Sequence, residues 1–446
     1  MPAKSNFKKL FILLLVSAFI VSQINFAYAG AYEWEGLGAR AQAMGGAFIG
    51  LADDWTAIFW NPAGLAQLKD KGWGIDFYSP HPVVKDGNSL SNFNPDPNLN
   101  LMDTRYQIDT FADYSEYLHQ GDEPDRFNKT KLTMHFYSLN GLGTYWKYRG
   151  FTLGAGFYIP VGNYLDWQDN ISYGSGAIHA KLFQQFFLSM LNFSIAKEIN
   201  SKFSLGLGIN YVYGKIDYLA SKTVAASGIF DYTWNYEAHS KGGGIEGVFG
   251  GLFKITDKLK LGGVYRTGSV VTLRGEASTK NTATGIDEAS DFKQKFPHPA
   301  TWGVGLAYKP KPNLTLTADL QRTLWSTFRT EVYYDRQGLA IYDKYYSADW
   351  HDSSRYRLGV EYKPVNNWAL RAGYFFDQSP LPDKSLGFSD IADVDRHTIT
   401  LGLGHETKNR WGLDILYLCA WGERKANGVS YSQSINSIGI TVSHKF

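Results

Sequence analysis

Phe203-Ser204-Leu205-Gly206-Leu207-Gly208-Ile209-Asn210-Tyr211-Val212-Tyr213-Gly214 alternates large apolar residues with small or polar ones almost without interruption. An extended chain sends successive side chains to opposite faces, so Phe203, Leu205, Leu207, Ile209, Tyr211 and Tyr213 share one face. That face is greasy and ends in aromatics, while the other carries Ser204, Gly206, Gly208, Asn210 and Gly214. In a soluble sandwich the greasy face turns inward. In an outer-membrane barrel it turns outward to lipid and the polar face lines the lumen.

The pattern recurs along the chain, in Phe151, Leu153, Ala155, Phe157 and Ile159, in Trp302, Val304, Leu306 and Tyr308, and in Trp411, Leu413, Ile415 and Tyr417. Fourteen strands are expected, at about 71–80, 131–147, 151–160, 181–198, 202–217, 241–255, 259–275, 299–309, 313–325, 352–363, 367–376, 395–407, 410–421 and 432–446. Short turns at Tyr148-Arg149-Gly150, Asn200-Ser201, Thr256-Asp257-Lys258, Pro310-Lys311-Pro312, Pro364-Val365-Asn366 and Lys408-Asn409 alternate with long polar connections. Segregated loop length is the arrangement of a transmembrane barrel with its short turns in the periplasm. The second faces carry Arg355, Arg357, Glu361, Arg371, Asp319 and Asp414. A charge on the lipid face costs roughly 2–4 kcal/mol near the midplane, so these side chains are expected inside. The expected fold is an all-β, fourteen-stranded antiparallel transmembrane barrel over residues 71–446.

Composition agrees with this reading. The chain holds 46 Gly, 16% aromatic residues and one cysteine, Cys419, which excludes an internal disulfide and a CxxC metal site. Lys4, Lys8 and Lys9, the apolar run Leu10 to Val21 and Ala27-Tyr28-Ala29 read as a signal peptide over 1–29. Without those three lysines the chain carries 41 Lys and Arg against 42 Asp and Glu, so no basic surface for nucleic acid is indicated.

Residues 30–70 have no strand periodicity. Gly36 to Met44 and Asp54 to Trp60 read as short helices, with Asp53-Asp54 capping the second. Pro62 biases Asn61 away from helix and ends that helix at Trp60, and Gly64 allows a bend. The apolar residues of this stretch need burial, so it is read as a plug, or hatch, in the lumen.

Ala52-Asp53-Asp54 followed by Asn61-Pro62-Ala63-Gly64-Leu65, together with Gly36-Leu37-Gly38-Ala39-Arg40-Ala41, the strand count and the terminal Phe446, resembles the FadL/TodX family. Members of that family are outer-membrane transporters of long-chain fatty acids and aromatic hydrocarbons. The resemblance implies a hatch bearing the Asn-Pro-Ala motif inside a fourteen-stranded barrel, and a kink in the third strand that opens the wall toward lipid. Gly154, Gly156 and Pro160 are the residues here that would make such a kink, unless the strand simply ends in a turn at Pro160. The terminal run Ile438, Ile440, Val442 and Phe446 looks like the signal read by barrel-assembly machinery.

A fatty acid needs a cation for its carboxylate in an otherwise apolar cavity, and Arg266, Arg357 and Arg371 stand at lumen-facing positions. Each can equally belong to a charge ladder with Asp319, Glu361 or Asp414. An amphipathic helix near Asp103 to Leu118, with Phe111 and Leu118 on its apolar face, is read as the lip of a capture groove or as packing between loops. Together these features point to a monomeric outer-membrane channel for hydrophobic small molecules, most simply fatty acids, with no cofactor, no metal and no catalytic residues. Aromatic hydrocarbon uptake, a lipid-modifying barrel enzyme and an adhesive barrel are the alternatives. A lumen- or rim-facing Ser–His pair would favour the enzyme.

Overall fold

The computed structural model describes residues 33, 35–86, 130–133, 138–173, 176–225, 231–347, 349–383, 393–426 and 429–446. The leader, Phe111 and Leu118 lie outside the described residues.

The described chain forms a closed antiparallel barrel of fourteen staves. In chain order they are β1 (Gly72–Asp86), β2 (Thr130–Thr133 and Ser138–Tyr148), β3 (Phe151–Tyr173), β4 (Gly176–Asn200), β5 (Phe203–Ala225) and β6 (Tyr232–Lys254). There follow β7 (Leu259–Arg266 and Ser269–Asn281), β8 (Ile286–His298 and Thr301–Lys311), β9 (Leu314–Thr323 and Arg329–Tyr334) and β10 (Lys344–Ser347 and Ser353–Val365). The last four are β11 (Trp368–Asp377), β12 (Arg396–Glu406), β13 (Trp411–Ala426) and β14 (Val429–Lys445). β14 pairs with β1 from Lys445↔Gly72 to Tyr431↔Asp86, which closes the sheet and removes its edges.

The greasy faces turn outward. Leu205, Leu207, Ile209 and Tyr211 are 44%, 53%, 51% and 52% exposed, while Gly206, Asn210 and Val212 between them are buried. Arg355, Arg357, Glu361, Arg371 and Asp319 are buried on the inner side.

Several connections that read as long polar loops are instead strand. β3 and β4 are 23 and 25 residues long and meet across 174–175, and β5 and β6 meet across 226–231. A strand needs only about 9–11 residues to cross a bilayer, so these hairpins continue well beyond it. Beyond the membrane the alternation changes sides. Phe292, Gln294 and Phe296 of β8 point inward and are buried, while Asp291 faces solvent. A search for an outward greasy face stops where that inversion starts.

A second departure lies in β3. The β3–β4 register shifts between Tyr158 and Val161, so Ile159 and Pro160 stand opposite Ser189 alone. This bulge buries Ile159, which the alternation places outside with Phe157. The β2–β3 ladder ends at Gly141↔Tyr158.

Candidate functional site

Residues 36–68 fill the lower lumen. Helix α1 (Ala39–Ala43) starts on the wall: the backbone N–H groups of Gly38 and Ala39 donate to Asp76 of β1 at 2.9 and 3.1 Å. Asp319 of β9 accepts the Ile49 N–H at 2.7 Å. Helix α2 (Ala57–Trp60) is entered through Asp54, whose carboxylate accepts the Thr56 N–H at 2.9 Å. Asp53 is not a cap. It pairs with Arg40 at 2.6 Å and Lys309 at 3.7 Å.

Asn61 is extended, and Pro62 opens a 3-10 helix over Pro62–Gln67. The Asn61 side chain accepts the Ala63 N–H at 3.1 Å and donates from Nδ2 to the carbonyls of Ile49 and Gly251, both at 3.0 Å. Gly64 does not supply the expected bend. It sits inside the 3-10 turn, and a Cβ there would lie 2.1 Å from the Ala52 carbonyl oxygen, so close approach of two hatch segments is what requires it.

The wall receives this backbone at paired glycines. Gly206 and Gly250 are direct cross-strand partners on β5 and β6, and a Cβ on either would strike Asn61, Pro62 or Ala63 at 2.2–2.9 Å. Gly262 and Gly305 are partners beneath Ile49-Gly50, and Gly359 and Gly373 are partners beneath Met44-Gly45. Strand interiors disfavour glycine unless another backbone comes close, and here it does. Gly154 and Gly156 belong to the same class: their Cβ positions lie 2.8 and 2.3 Å from Ile58 of α2. They are in regular ladder, and the irregularity falls at Ile159-Pro160.

Charge ties the hatch to the wall on the periplasmic side. Arg40 donates to both oxygens of Glu361 of β10, at 2.9 and 3.2 Å, and Arg371 donates to Glu361 at 2.8 Å and Asp414 at 2.7 Å. Burial alone would raise the Asp53 carboxyl, but Arg40 and then Lys309 hold it below its usual value. A polar cavity of about 200 Å³ opens beside this network toward the short turns, lined by Arg40, Asp53, Arg371 and Asp414.

On the other side of the plug a cavity of about 50 Å³ lies between Phe59 and Trp60 of the hatch and Pro160, Met190, Arg266 and Arg357 of the wall. Arg266 donates to the Phe59 carbonyl, lies over the Phe59 ring at 4.9 Å and stands 3.7 Å from Glu246. Arg357 donates to Gln321 at 2.8 Å and lies over the Trp60 ring at 5.5 Å. Its Nε has no hydrogen-bond partner among the described residues. Arg266 and Arg357 are therefore brought together, whereas Arg371 belongs to the periplasmic network. Beneath the β3 bulge, Tyr158, Asn192 and Asn210 hydrogen-bond in a buried chain to Glu246 and on to His298. Above the cavity Phe186 of β4, Phe296 of β8, and Phe328 and Trp350 in the breaks within β9 and β10 make successive ring contacts of 4.7, 5.6 and 4.8 Å.

The chain from residue 19 to 433 matches the family described as outer membrane protein transport protein (OMPP1/FadL/TodX). This chain belongs to that family. Like other FadL/TodX proteins it is an outer-membrane barrel that transports hydrophobic molecules. A Neisseria meningitidis protein named as an outer membrane protein is 22% identical over 439 residues, covering 91% of this chain and 88% of that one. The long-chain fatty acid transport protein of Escherichia coli K12 is 24% identical over 262 residues, covering 50% of this chain and 58% of its own length. Among solved structures, a Pseudomonas aeruginosa FadL homologue superposes with a TM-score of 0.68 at 14% identity, covering 93% of this chain and 100% of that one. The Pseudomonas putida toluene transporter TodX superposes with a TM-score of 0.63 at 15% identity, covering 92% and 99%. At these identities the likeness shows the fold.

Sequence reasoning missed several members of the FadL/TodX site in this chain. Glu361 and Asp76 bond strand neighbours, Arg371 for one and Asn140 and Thr441 for the other, but each also holds the hatch, through Arg40 and through the Gly38 and Ala39 N–H groups, and no local pattern marks that second role. The glycine pairs were visible only as a high glycine content. Among the described residues, Ser79 Oγ contacts His81 Nε2 at 3.3 Å. It joins residues two apart on β1, on the same side as outward-facing Phe77 and away from the lumen.

Proposed function

We propose that the transported molecule is a long-chain fatty acid, or an amphipath of the same shape, whose carboxylate is received at Arg357. The observation that carries this reading is a buried guanidinium that donates to the neutral Gln321 amide and lies over Trp60, beside Phe59 and Met190, with its Nε unpartnered among the described residues. A buried N–H without an acceptor is costly, and a carboxylate would supply the missing acceptor for Nε. The relatives named for fatty acid transport support the same class. Aromatic hydrocarbon uptake is the second reading, supported by the ring series Phe186, Phe296, Phe328 and Trp350 and by likeness to the toluene transporter.

Cargo held at Arg357 would adjoin two ways out, the β3 bulge at Pro160 and the plug itself. The barrel works as a monomer in this reading, with no chemical step.

Arg357→Met separates the two cargoes. A charged hydrogen bond is worth about 1.5–3 kcal/mol, so oleate uptake at matched surface levels should fall roughly 10- to 100-fold while toluene uptake is unchanged. Unaltered oleate uptake, or toluene carried by both proteins with oleate carried by neither, would remove the fatty acid reading.

A further inference from the structure

The outer surface just beyond the lipid-facing band is sorted by charge sign. Lys215 of β5 is directly opposed to Lys241 of β6, Lys241 to Arg274 of β7, and Arg274 to Lys293 of β8. Each lies on its strand's outer face, with buried residues on both sides along the chain in β5 and β8. On four adjacent strands the first outward charge beyond the apolar run is a cation. Lys215 follows Tyr213, Lys241 follows Ile245, Arg274 follows Val270, and Lys295 follows Pro297.

Directly opposed like charges destabilise a sheet, and alternating signs around a rung would be the cheap arrangement. The acids stand one rung further out: Asp217 opposes His239, and Glu276 opposes both His239 and Asp291. Lys215 is held by Asp217 at 2.5 Å, Lys295 by Glu331 at 2.6 Å, and His239 lies between Asp217 and Glu237. Among the described residues, Lys241, Arg274 and Lys293 have no carboxylate within ion-pair distance.

The height suits a headgroup. From Phe203 at the periplasmic turn to Lys215 the strand runs about 40 Å, which a tilt near 40° reduces to about 30 Å along the membrane normal. The apolar band of such barrels is about 25 Å tall, so the cations begin where acyl chains give way to headgroups.

We propose that Lys215, Lys241, Arg274, Lys293 and Lys295 form a seat for the phosphate groups of a lipid in the outer leaflet of the outer membrane. Three cations in one rung, none with a carboxylate within ion-pair distance among the described residues, match a headgroup bearing more than one phosphate, and Arg274 can grip a phosphate with two parallel N–H groups. The same chemistry would take a free phosphate, and the height beside the acyl region favours the lipid.

The test uses the purified full-length barrel in detergent, with bisphosphorylated lipid A, the same lipid stripped of its phosphates, and inorganic pyrophosphate as probes. Binding is read by native mass spectrometry. The parent should retain the bisphosphorylated lipid at least tenfold better than the stripped one. The triple variant Lys241→Ser, Arg274→Ser, Lys293→Ser should lose at least tenfold, and Lys280→Ser, removing a cation paired with Asp287 further out, should lose none. Heat-modifiable migration of every variant verifies barrel closure, and a single Arg274→Ser change stands in if the triple variant fails to close. Equal retention of the two lipids, undiminished retention by the substituted barrels, or displacement of the lipid by millimolar pyrophosphate would overturn the proposal.

Discussion

Adding one methyl group to the wall at Gly206 should release the hatch without harming the barrel. The Cβ of Gly206→Ala would stand 2.2 Å from the Ala63 nitrogen and 2.3 Å from the Pro62 carbonyl carbon. Carbon contacts settle near 3.5–4.0 Å, so the Asn61–Ala63 segment must retreat by about 1 Å or more. That movement carries the Asn61 Nδ2 donor, now 3.0 Å from the Gly251 carbonyl, beyond hydrogen-bond reach. Overpacking costs about 1–3 kcal/mol and the lost hydrogen bond about 1 kcal/mol, or about 2–4 kcal/mol against hatch docking. At 1.4 kcal/mol per tenfold, the undocked population rises roughly 30- to 1,000-fold. Amide hydrogen exchange over residues 39–67 should accelerate by that factor, and single-barrel conductance should become noisier or larger. Gly263→Ala is the control, because nothing lies within 4 Å of its Cβ position. If Gly206→Ala folds, and both exchange and conductance match the parent, then paired glycines are not what seats the hatch.

Replacing Asn61 and Pro62 with Ala removes three side-chain hydrogen bonds, about 2–4 kcal/mol of hatch docking. Uptake of labelled fatty acid should change while heat-modifiable migration stays normal; unchanged uptake and conductance would make the segment a passive tether. Acid should loosen the same contact surface. Because Arg40 and Lys309 lower the Asp53 carboxyl from 3.8, its contribution is full above about pH 4 and fades as pH drops through the lowered value. The difference in conductance between the parent and Asp53→Asn should therefore be constant from neutral pH down to about 4.5 and shrink below about 4. A difference that shrinks near pH 6 instead would assign the effect elsewhere. Deleting Phe446 removes an N–H donated to the Lys71 carbonyl at 2.9 Å and a ring beneath Lys71 at 5.0 Å. Lower outer-membrane levels are expected, and normal levels would deny it an assembly role.

How much of this was legible follows from where each constraint acts. The lipid imposes its rule on every strand separately, so Leu205-Gly206-Leu207-Gly208-Ile209 announces its outer face without help from any neighbour. The six short turns are similarly local, and fourteen staves follow from them. The hatch imposes its rule from inside, across the lumen, and its signal is spread over residues hundreds of positions apart. Gly206 reads as one more small residue on a polar face until Ala63 is placed against it, and Glu361 reads as the ladder partner of Arg371, which it is, with no sign that it also takes Arg40. Above the membrane neither rule holds, because water covers the outside and the lumen turns apolar, so Phe292 and Phe296 alternate in the opposite sense.

That division has a functional consequence. The barrel closes through a continuous backbone ladder, while the hatch is held by part-buried ion pairs, carboxylates on backbone N–H groups and close backbone seats. Contacts of that kind are directional and fail together once the segment shifts by about 1 Å, unlike apolar packing, which degrades gradually. A plug anchored in this way is suited to leave its seat as a unit. With cargo at Arg357 as proposed, that seat would adjoin the cargo. Phe59 and Trp60 carry Arg266 and Arg357 on their faces, and Asn61 begins the segment that sits on Gly206 and Gly250. A carboxylate drawing Arg357 away from Trp60 would act one residue from Asn61, so on the proposed site ligand arrival and hatch docking would be coupled through adjacent side chains. Such a coupling is reciprocal, and Gly206→Ala should then alter oleate affinity as well as conductance. Unchanged oleate affinity in a variant whose hatch exchanges faster would show that the cavity and the plug act independently.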